Sequence, residues 1–283
     1  MPKPEDGSRA TAGFDPQWLR LRSAYDDAAR SDRLTRLFAA SLPAKPRLLD
    51  LAAGTGANLR YLASRIGRAG QRWVLADHDQ ALLDAIAGEM ARWPHQGAAL
   101  APTVACRRVD LVNDLDSLDP ACFDGIVATA LFDLVSADWA KRFAAWLAQA
   151  SRPVLFTLSV DGRLDWTPGD PGDTAMRGWI EDHQATDKGF GPALGPHAPA
   201  LLAELLEASG YDVSAEESDW IIGPDDAAMH RALIEGYRTA ALETAPAGNG
   251  DRINGWAKRR LDDSERGALT ALVGHVDIFA RPR

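Results

Sequence analysis

The order of apolar and polar positions predicts strands and helices that alternate between residues 47 and 160. Short apolar runs predict buried strands, and between them apolar residues recur at the i, i+3, i+4, i+7 spacing of a helix face. The predicted strands begin at residue 47 and continue with 71–77, 104–111, 126–131 and 153–160. This alternation is typical of an α/β protein with a doubly wound, mostly parallel sheet and right-handed crossovers.

Two helices are predicted before the first strand. The first begins at Asp15-Pro16, where an N-cap acid precedes a proline at the first helical position. The second begins at Ser31 or Asp32 and is stopped by Pro43. We therefore expect residues 15–45 to form an N-terminal helical cap. Residues 1–14 are polar, rich in Pro, Gly and Ser, and are predicted to form a disordered tail.

The pattern after residue 160 is interrupted twice. Residues 161–196 predict a long insertion with one short helical stretch, and residues 225–273 predict a helical pair over 225–245 and 251–273. Between them lie a predicted helix at 197–209 and a strand region at 211–222, and residues 275–280 alternate like a final strand. Because a long loop in a compact domain is usually functional or disordered, and this one contains tryptophans, we interpret residues 161–196 as a lid over an acceptor site.

The most informative stretch is the turn after the first strand. It contains Asp50, Ala52, Gly54 and Gly56 and leads directly into a helix, where glycines and free N–H groups allow a ligand to approach closely. A dinucleotide fingerprint requires a third glycine where this chain has Leu59. The spacing Asp-x-Ala-x-Gly-x-Gly instead resembles motif I of the class I S-adenosylmethionine-dependent methyltransferases, whose usual form has glycine at the position of Ala52.

The resemblance covers residues 47–160 well and the remainder in outline. It implies a Rossmann-like methyltransferase fold of seven strands, with an antiparallel last strand beside the sixth, across a methyltransferase domain of residues 46–283. It implies S-adenosylmethionine as the cofactor and a transferase that moves its methyl group to an acceptor.

The strand ends supply candidate cofactor contacts. An acid at the end of the second strand of such a fold accepts hydrogen bonds from ribose hydroxyls, which favours Asp77 for that role. The resemblance assigns Asp110 to the adenine amino group and the backbone of Leu111 to the ring, and His78 is placed against the adenine. The remaining cofactor candidates lie on the turn, the first helix, the fourth strand end and the helical cap: Asp50, Ala52, Gly54, Gly56, Asn58, Thr129, Tyr25 and Arg30. Of these, Tyr25 and Arg30 are candidates for the methionine carboxylate.

Methyl transfer from a sulfonium is an in-line displacement in which alignment of the two reactants lowers the barrier most. A base is needed only when the acceptor must lose a proton. Asp133 is the first candidate, because it follows the fourth strand at the edge that faces the crevice. His183 is the second, because its ordinary pKa suits neutral pH. Asp187 is a further candidate in the predicted lid.

Composition narrows the classes of partner. The chain has 283 residues and a net charge of −9, which disfavours nucleic acid as a partner. Two cysteines, Cys106 and Cys122, are too few for a disulfide framework and are expected to be buried and reduced. No uncharged apolar stretch indicates a membrane segment, and no ligand cluster indicates a metal. We therefore expect a cytoplasmic enzyme with a small-molecule acceptor, as a monomer or a homodimer.

Two rival functions stay open at this level. A nicotinamide (NAD)-dependent oxidoreductase shares the strand–turn–helix unit and the acid at Asp77, but Leu59 and the lack of a Tyr-x-x-x-Lys pair disfavour it. A methyltransferase-like module that binds a cofactor or a partner without catalysis is the second rival.

Overall fold

The computed structural model describes residues 16–93 and 101–283. The predicted disordered tail at 1–14 lies outside the described residues. No helix within the described ranges is both long and apolar enough to cross a membrane.

The centre of the molecule is an eight-stranded sheet. Seven strands follow the order β3-β2-β1-β4-β5-β8-β6, and the short β7 pairs with β8 outside this path. Strands β1 to β5 are parallel neighbours, whereas β8 is antiparallel to β5, β6 and β7. The strands are β1 Arg47–Leu51, β2 Arg72–Asp77, β3 Thr103–Arg108, β4 Gly125–Thr129, β5 Val154–Thr167, β6 Tyr211–Glu217, β7 Trp220–Ile222 and β8 Thr270–Pro282. The predicted fold class, with its antiparallel last strand beside the sixth, is confirmed, and β7 is one strand more than predicted.

Nine α-helices lie in the described ranges. They are α1 Pro16–Ala29, α2 Asp32–Ser41, α3 Ala57–Ile66, α4 Gln80–Arg92, α5 Ala137–Ala148, α6 Asp173–Gln184, α7 Ala198–Ala208, α8 Ala227–Thr244 and α9 Gly250–Glu265. The starts of α2, α4 and α5 follow from local chemistry: the side chains of Ser31, Asp79 and Ser136 each accept a hydrogen bond from a backbone N–H of the first turn.

Helices cover both faces of the sheet. On one face, Phe38 of α2 and Leu62 of α3 belong to a core with Trp73 of β2. On the other face, Phe143 of α5 and Leu202 of α7 belong to a second core with the opposite side of β4 and β5. The parallel strands between these layers are buried on both sides, which explains why they read as continuous apolar runs.

A third core belongs to the insertions. The far half of β5, the start of β8, β7 and helices α6, α8 and α9 pack around Trp166, Trp220 and Trp256, and α1 packs against this core. Because β5 passes the end of β4, where Thr129 pairs with Thr157, this third core stands beyond the carboxyl ends of the parallel strands. The two predicted cap helices therefore belong to different cores, α1 to the third and α2 to the sheet.

Three element boundaries differ from the prediction by about five residues or more. Strand β5 runs to Thr167 instead of 160, so the first seven residues of the predicted loop at 161–196 are strand. Helix α9 ends at Glu265 instead of 273, and β8 begins at Thr270 instead of 275. The cause is long-range pairing between these two extensions, in which Thr167 lies opposite Thr270. The spacing of apolar residues within one segment does not predict pairing between two segments that are far apart in the sequence.

The expectation that both cysteines are buried is wrong. Cys106 and Cys122 are exposed. Cys106 lies on β3, the edge strand of the sheet, where most side chains remain in contact with solvent. An apolar run on an edge strand does not guarantee cover by helices.

Candidate functional site

Backbone strain marks three neighbouring points of the sheet, the ends of β1 and β4 and the middle of β5. Ala52 after β1, Ala130 after β4 and Leu158 within β5 have positive φ angles of 52°, 49° and 59°. Non-glycine residues in this region cost of order 1–3 kcal/mol each and cluster at functional sites. The edge where β1 and β4 end, beside the irregular part of β5, is therefore the candidate site.

The turn after β1 is built for a close approach. Gly54 and Gly56 have φ angles of 54° and 77°, and Gly56 is the N-cap of α3. A Cβ added at Gly54 would meet nothing within 4 Å, so the glycine is required there by its backbone angle and not by crowding. The backbone N–H of Gly54 donates to Asp77 at 2.8 Å, which fixes the turn against the end of β2.

A buried chain of hydrogen bonds connects the helical cap to β1. One guanidinium nitrogen of Arg30, Nη1, donates to Asn58 at 2.9 Å, and the Asn58 amide donates to Asp50 Oδ1 at 2.9 Å. Two atoms in this chain have no hydrogen-bond partner, Arg30 Nε and Asp50 Oδ2. Burial raises the pKa of Asp50 to about 7, against the opposing effects of Asn58 and Arg30. A cation and an acid with unused polar atoms therefore lie beside the glycine turn.

Arg30 is held from two further sides. Its Nη2 donates to Thr129 Oγ1 at 3.1 Å at the end of β4. Its guanidinium also lies over the ring of Tyr61, 4.4 Å from the ring centroid, while Arg65 lies 3.6 Å from the same centroid. Arg30 is 5% exposed, so buried contacts hold its side chain in one position.

Asp77 lies at the end of β2 and is 4% exposed. Its Oδ2 accepts from Gly54 N–H and its Oδ1 accepts from Asp79 N–H at 2.9 Å. A carboxylate has about four acceptor positions, so two remain for hydroxyl donors of a ligand. His78 follows with an exposed side chain, and its Nδ1 lies 3.4 Å from Asp77 Oδ1.

Asp110 and Leu111 lie in the turn that follows β3. The carboxylate of Asp110 accepts from Val112 N–H at 2.9 Å and from the Asn113 amide at 2.7 Å. The Leu111 carbonyl accepts a hydrogen bond from the Trp139 indole at 2.7 Å. This bond holds the backbone of Leu111 against α5. The structure thus places both residues at the same sheet edge as Asp77, with Asp110 stabilising its own turn.

Asp133 lies in the short 3₁₀ turn Phe132–Leu134 after β4. Its Oδ1 is buried without a hydrogen-bond partner. Burial raises the pKa of Asp133 to about 6, while the positive charge of Arg22 acts in the opposite direction. An acid with this pKa is ionised at neutral pH and still basic enough to accept a proton.

The segment after α6 packs on the Asp133 turn. Phe190 forms an isolated bridge with Val135, and its ring meets the Trp139 ring edge-on at 5.3 Å. The backbone N–H of Leu194 donates to the Val135 carbonyl at 2.8 Å. Part of the predicted lid therefore lies against the residues that follow Asp133.

His183 and Asp187 are placed differently from Asp133. His183 lies on α6, where its Nε2 is 3.1 Å from Glu243 of α8. Burial and the charge of Lys188 lower the pKa of His183, so it is mainly neutral at pH 7. The carboxylate of Asp187 accepts from Gly189 and Gly191 N–H groups and stabilises its own loop. Neither residue shares a hydrogen bond with the strand-end groups.

Tyr25 lies on α1 against the third core. Its ring is 6.4 Å from that of Trp220, and burial together with a hydrogen bond to Asp226 raises its pKa to about 12. Its neighbour Arg22 pairs with Asp26 at 2.9 Å and lies 5.0 Å from the Trp220 ring centroid. Arg30, five residues after Tyr25, contacts Asn58 in the first turn of α3, directly after the glycine turn.

Several residues of the site carry no sequence signal. Asp277 of β8 is fully buried and accepts from the backbone N–H of Ser31 and of Leu158, both at 2.9 Å. In the sequence it appears as a polar residue in an alternating strand, which normally indicates solvent. Thr157 was likewise unmarked, although its hydroxyl donates to Thr129 at 3.1 Å. The contacts of Asp277 follow from the position of β8 between β5 and β6, and the contact of Thr157 follows from its register opposite Thr129 of β4.

Across the described part of the chain, no group of three or more His, Cys, Asp and Glu side chains is arranged to hold a metal ion.

Comparison with known proteins supports the fold. No family model matches the chain, and no curated protein matches it in sequence. Among solved structures, the chain is similar over 93% of its length and 94% of the other chain to a cyclopropane-fatty-acyl-phospholipid synthase-like protein from Lactobacillus casei, with 16% identity and a TM-score of 0.50. It is also similar to phosphoethanolamine N-methyltransferase 2 from Haemonchus contortus, whose structure is a complex with phosphomonomethylethanolamine and S-adenosylhomocysteine. This similarity covers 100% of the present chain and 62% of the other chain, with 15% identity and a TM-score of 0.50.

The strand order and these similarities define the class of fold: the chain has the Rossmann-like fold of the S-adenosylmethionine-dependent methyltransferases. At 15–16% identity the similarity identifies the architecture and leaves the reaction to be argued from the site.

Proposed function

We propose that the protein is an S-adenosylmethionine-dependent methyltransferase that acts on a small-molecule acceptor. The observation that carries the proposal is the pair of unpartnered atoms beside the glycine turn, Arg30 Nε and Asp50 Oδ2. The methionine end of the cofactor is a zwitterion, with a carboxylate that suits a guanidinium and an ammonium that suits a carboxylate. Other buried polar atoms also lack partners, among them Arg152 Nε and Arg260 Nε. This pair is informative because Asn58 joins the cation to the acid and both lie beside the glycine turn.

The other candidate residues fit the same ligand. Asp77 would accept hydrogen bonds from the ribose hydroxyls with the acceptor positions that its backbone contacts leave free. Asp110, Leu111 and His78 lie at the adjoining strand ends, where the adenine would lie. When bound, S-adenosylmethionine supplies an activated methyl group. The chain contributes binding, alignment and the exclusion of water.

Asp133 is the proposed general base for an acceptor that loses a proton. Its turn directly follows β4, and its raised pKa and free Oδ1 suit proton uptake near neutral pH. His183 remains the second candidate, and its contact with Glu243 would have to open before it could reach the crevice. We propose residues 161–196 as the acceptor lid, because Phe190 and Leu194 contact the turn that carries Asp133.

Calorimetry with three ligands tests the cofactor assignment. We expect the wild-type protein to bind S-adenosylhomocysteine and not NAD. Replacing Arg30 by Met should weaken S-adenosylhomocysteine by about tenfold or more, since a hydrogen bond to a charged group contributes roughly 1.5–3 kcal/mol. It should leave 5′-methylthioadenosine, which lacks the amino-acid end, nearly unchanged. Binding of NAD alone would support the oxidoreductase and refute the proposal.

Turnover separates an enzyme from a binding module. Transfer of labelled methyl from S-adenosylmethionine should be measured over a panel of small oxygen, nitrogen and carbon nucleophiles. Tight binding of S-adenosylhomocysteine with no transfer to any acceptor in a broad panel would favour the non-catalytic module.

A further inference from the structure

We propose that Asp277 of β8 is a positioning residue that fixes Arg30 at the methionine end of the cofactor site. The inference rests on the proposed function, because it assumes that Arg30 meets the cofactor carboxylate. Asp277 itself has no predicted contact with the cofactor and acts through other residues.

The first step is the geometry of the Asp277 carboxylate. It is fully buried, and its two oxygens accept from two different backbone N–H groups, those of Ser31 and Leu158, each at 2.9 Å. Ser31 begins α2, and Leu158 lies in the irregular part of β5. One side chain of β8 therefore ties together three segments that are far apart in the sequence.

The second step is that these contacts close a ring around Arg30. Ser31 directly follows Arg30, so a fixed Ser31 N–H fixes the backbone from which the Arg30 side chain extends. On the other side, Leu158 directly follows Thr157, whose hydroxyl donates to Thr129 at 3.1 Å. Thr129 in turn accepts from Arg30 Nη2 at 3.1 Å. The ring thus holds Arg30 at both its backbone and its guanidinium.

The third step is the chemistry of the side chain. Only a carboxylate offers two strong acceptors at this spacing, whereas an amide offers one acceptor and one donor. Burial raises the pKa of Asp277, while the Ser218 hydroxyl, the two backbone donors and the charge of Arg30 favour its ionised form. Leu158 keeps a left-handed backbone of φ 59° while its N–H meets this carboxylate. We infer from these partners that the Asp277 carboxylate fixes the backbone at Ser31 and at Leu158.

The test compares two ligands that differ at the amino-acid end. In Asp277→Asn, one backbone N–H loses its acceptor, and we expect S-adenosylhomocysteine to bind about tenfold more weakly. Binding of 5′-methylthioadenosine, which lacks the methionine carboxylate, should change less than about twofold. A purely structural effect would weaken both ligands or neither. The ratio of the two dissociation constants is therefore the readout.

A double-mutant cycle shows whether Asp277 acts through Arg30. In an Arg30→Met background, Asp277→Asn should cause no further loss of S-adenosylhomocysteine affinity, because coupled residues are not additive. Thr157→Val breaks another link of the ring with little change in volume, and we expect a shift of the ratio in the same direction of about threefold. If Asp277→Asn fails to fold, Thr157→Val decides the question.

The matched control is Asp173→Asn in the third core, where Asp173 accepts from Trp256 at 2.8 Å and pairs with Arg260. This control should lower the unfolding temperature and leave the ligand ratio unchanged. An unchanged ratio in both ring variants, or an equal loss in the presence and absence of Arg30, would overturn the inference while the proposed function stands. Failure of the wild-type protein to bind S-adenosylhomocysteine would overturn both.

Discussion

Replacing Asp50 by Asn should make the protein more stable at pH 8 and weaken its binding of S-adenosylhomocysteine. Asp50 is fully buried and its pKa is raised to about 7. In the unfolded chain the pKa of Asp50 is near 4. Between about pH 4 and pH 7 the folded state therefore keeps a proton on Asp50 that the unfolded chain has released. The contribution of Asp50 to stability is therefore largest below pH 4 and falls as the pH rises to about 7.

The magnitude follows from that rise. Three pKa units correspond to roughly 4 kcal/mol, which is the contribution lost above pH 7. An asparagine avoids this loss and keeps an oxygen for the Asn58 amide, but its own amide takes the place of Oδ2, which has no partner. An unsatisfied buried donor costs about 1–3 kcal/mol. The net expectation is a gain of about 1–3 kcal/mol at pH 8 and no gain at pH 4.

Chemical denaturation of the wild type and Asp50→Asn between pH 4 and pH 8 measures this difference, and calorimetry measures binding. The comparison cancels other titrating groups, since both proteins contain them. Asp212→Asn on β6 is the control, because its carboxylate is exposed beside Arg283 and the change should be within about 0.5 kcal/mol at both pH values. A variant that is no more stable than the wild type at pH 8 and binds S-adenosylhomocysteine equally well would refute the assignment of Asp50.

Three further predictions concern other parts of the molecule. Asp133→Asn should lower kcat by about 100- to 10,000-fold and remove the limb of the pH–rate profile near pH 6, because its pKa is raised to about 6; unchanged turnover would exclude it as the base. Gly125→Ala should destabilise the fold by about 1–3 kcal/mol, since the added Cβ would lie 2.9 Å from both Leu42 and Phe38. Denaturation would measure this loss of stability, and calorimetry should find the affinity for S-adenosylhomocysteine unchanged. Gly274→Ala should lower the unfolding temperature, because its Cβ would crowd Asp161 and lie 2.6 Å from Arg163; a temperature equal to that of the wild type would contradict the packing.

The central strands and the glycine turn were predictable because their signals are local. Strands β1 and β4 are covered on both faces, so apolar runs mark them, and Gly54 and Gly56 stand where positive φ angles are required. The extension of β5 was not predictable, because Asp161 and Arg163 interrupt the apolar pattern. The charge of Arg163 is satisfied by Asp219, 56 residues further along the chain, at 2.7 Å.

The site was predictable only in part for the same reason. Asp77 and Asp110 follow strands and could be placed from the order of elements alone. Asp277 acquires its role from the position of β8 beside β5, and Thr157 acquires its role from its register opposite Thr129 of β4; a single sequence contains neither pairing. Ala52 shows a third limit, since an alanine gives no warning of a left-handed backbone.

Strands β5 and β8 both run from the main sheet into the third core and pair along most of their length. A hinge between the main sheet and the third core would have to break the pairing of β5 with β8. The insertions are therefore expected to move together with the sheet. Helix α1 is held differently, because side chains and not strand pairing join it to β7: Asp26 accepts a hydrogen bond from the Trp220 indole at 3.1 Å. An entrance for a ligand is therefore expected beside α1, since the side-chain contacts with Trp220 can open without breaking a strand pair while Asn58 still holds Arg30.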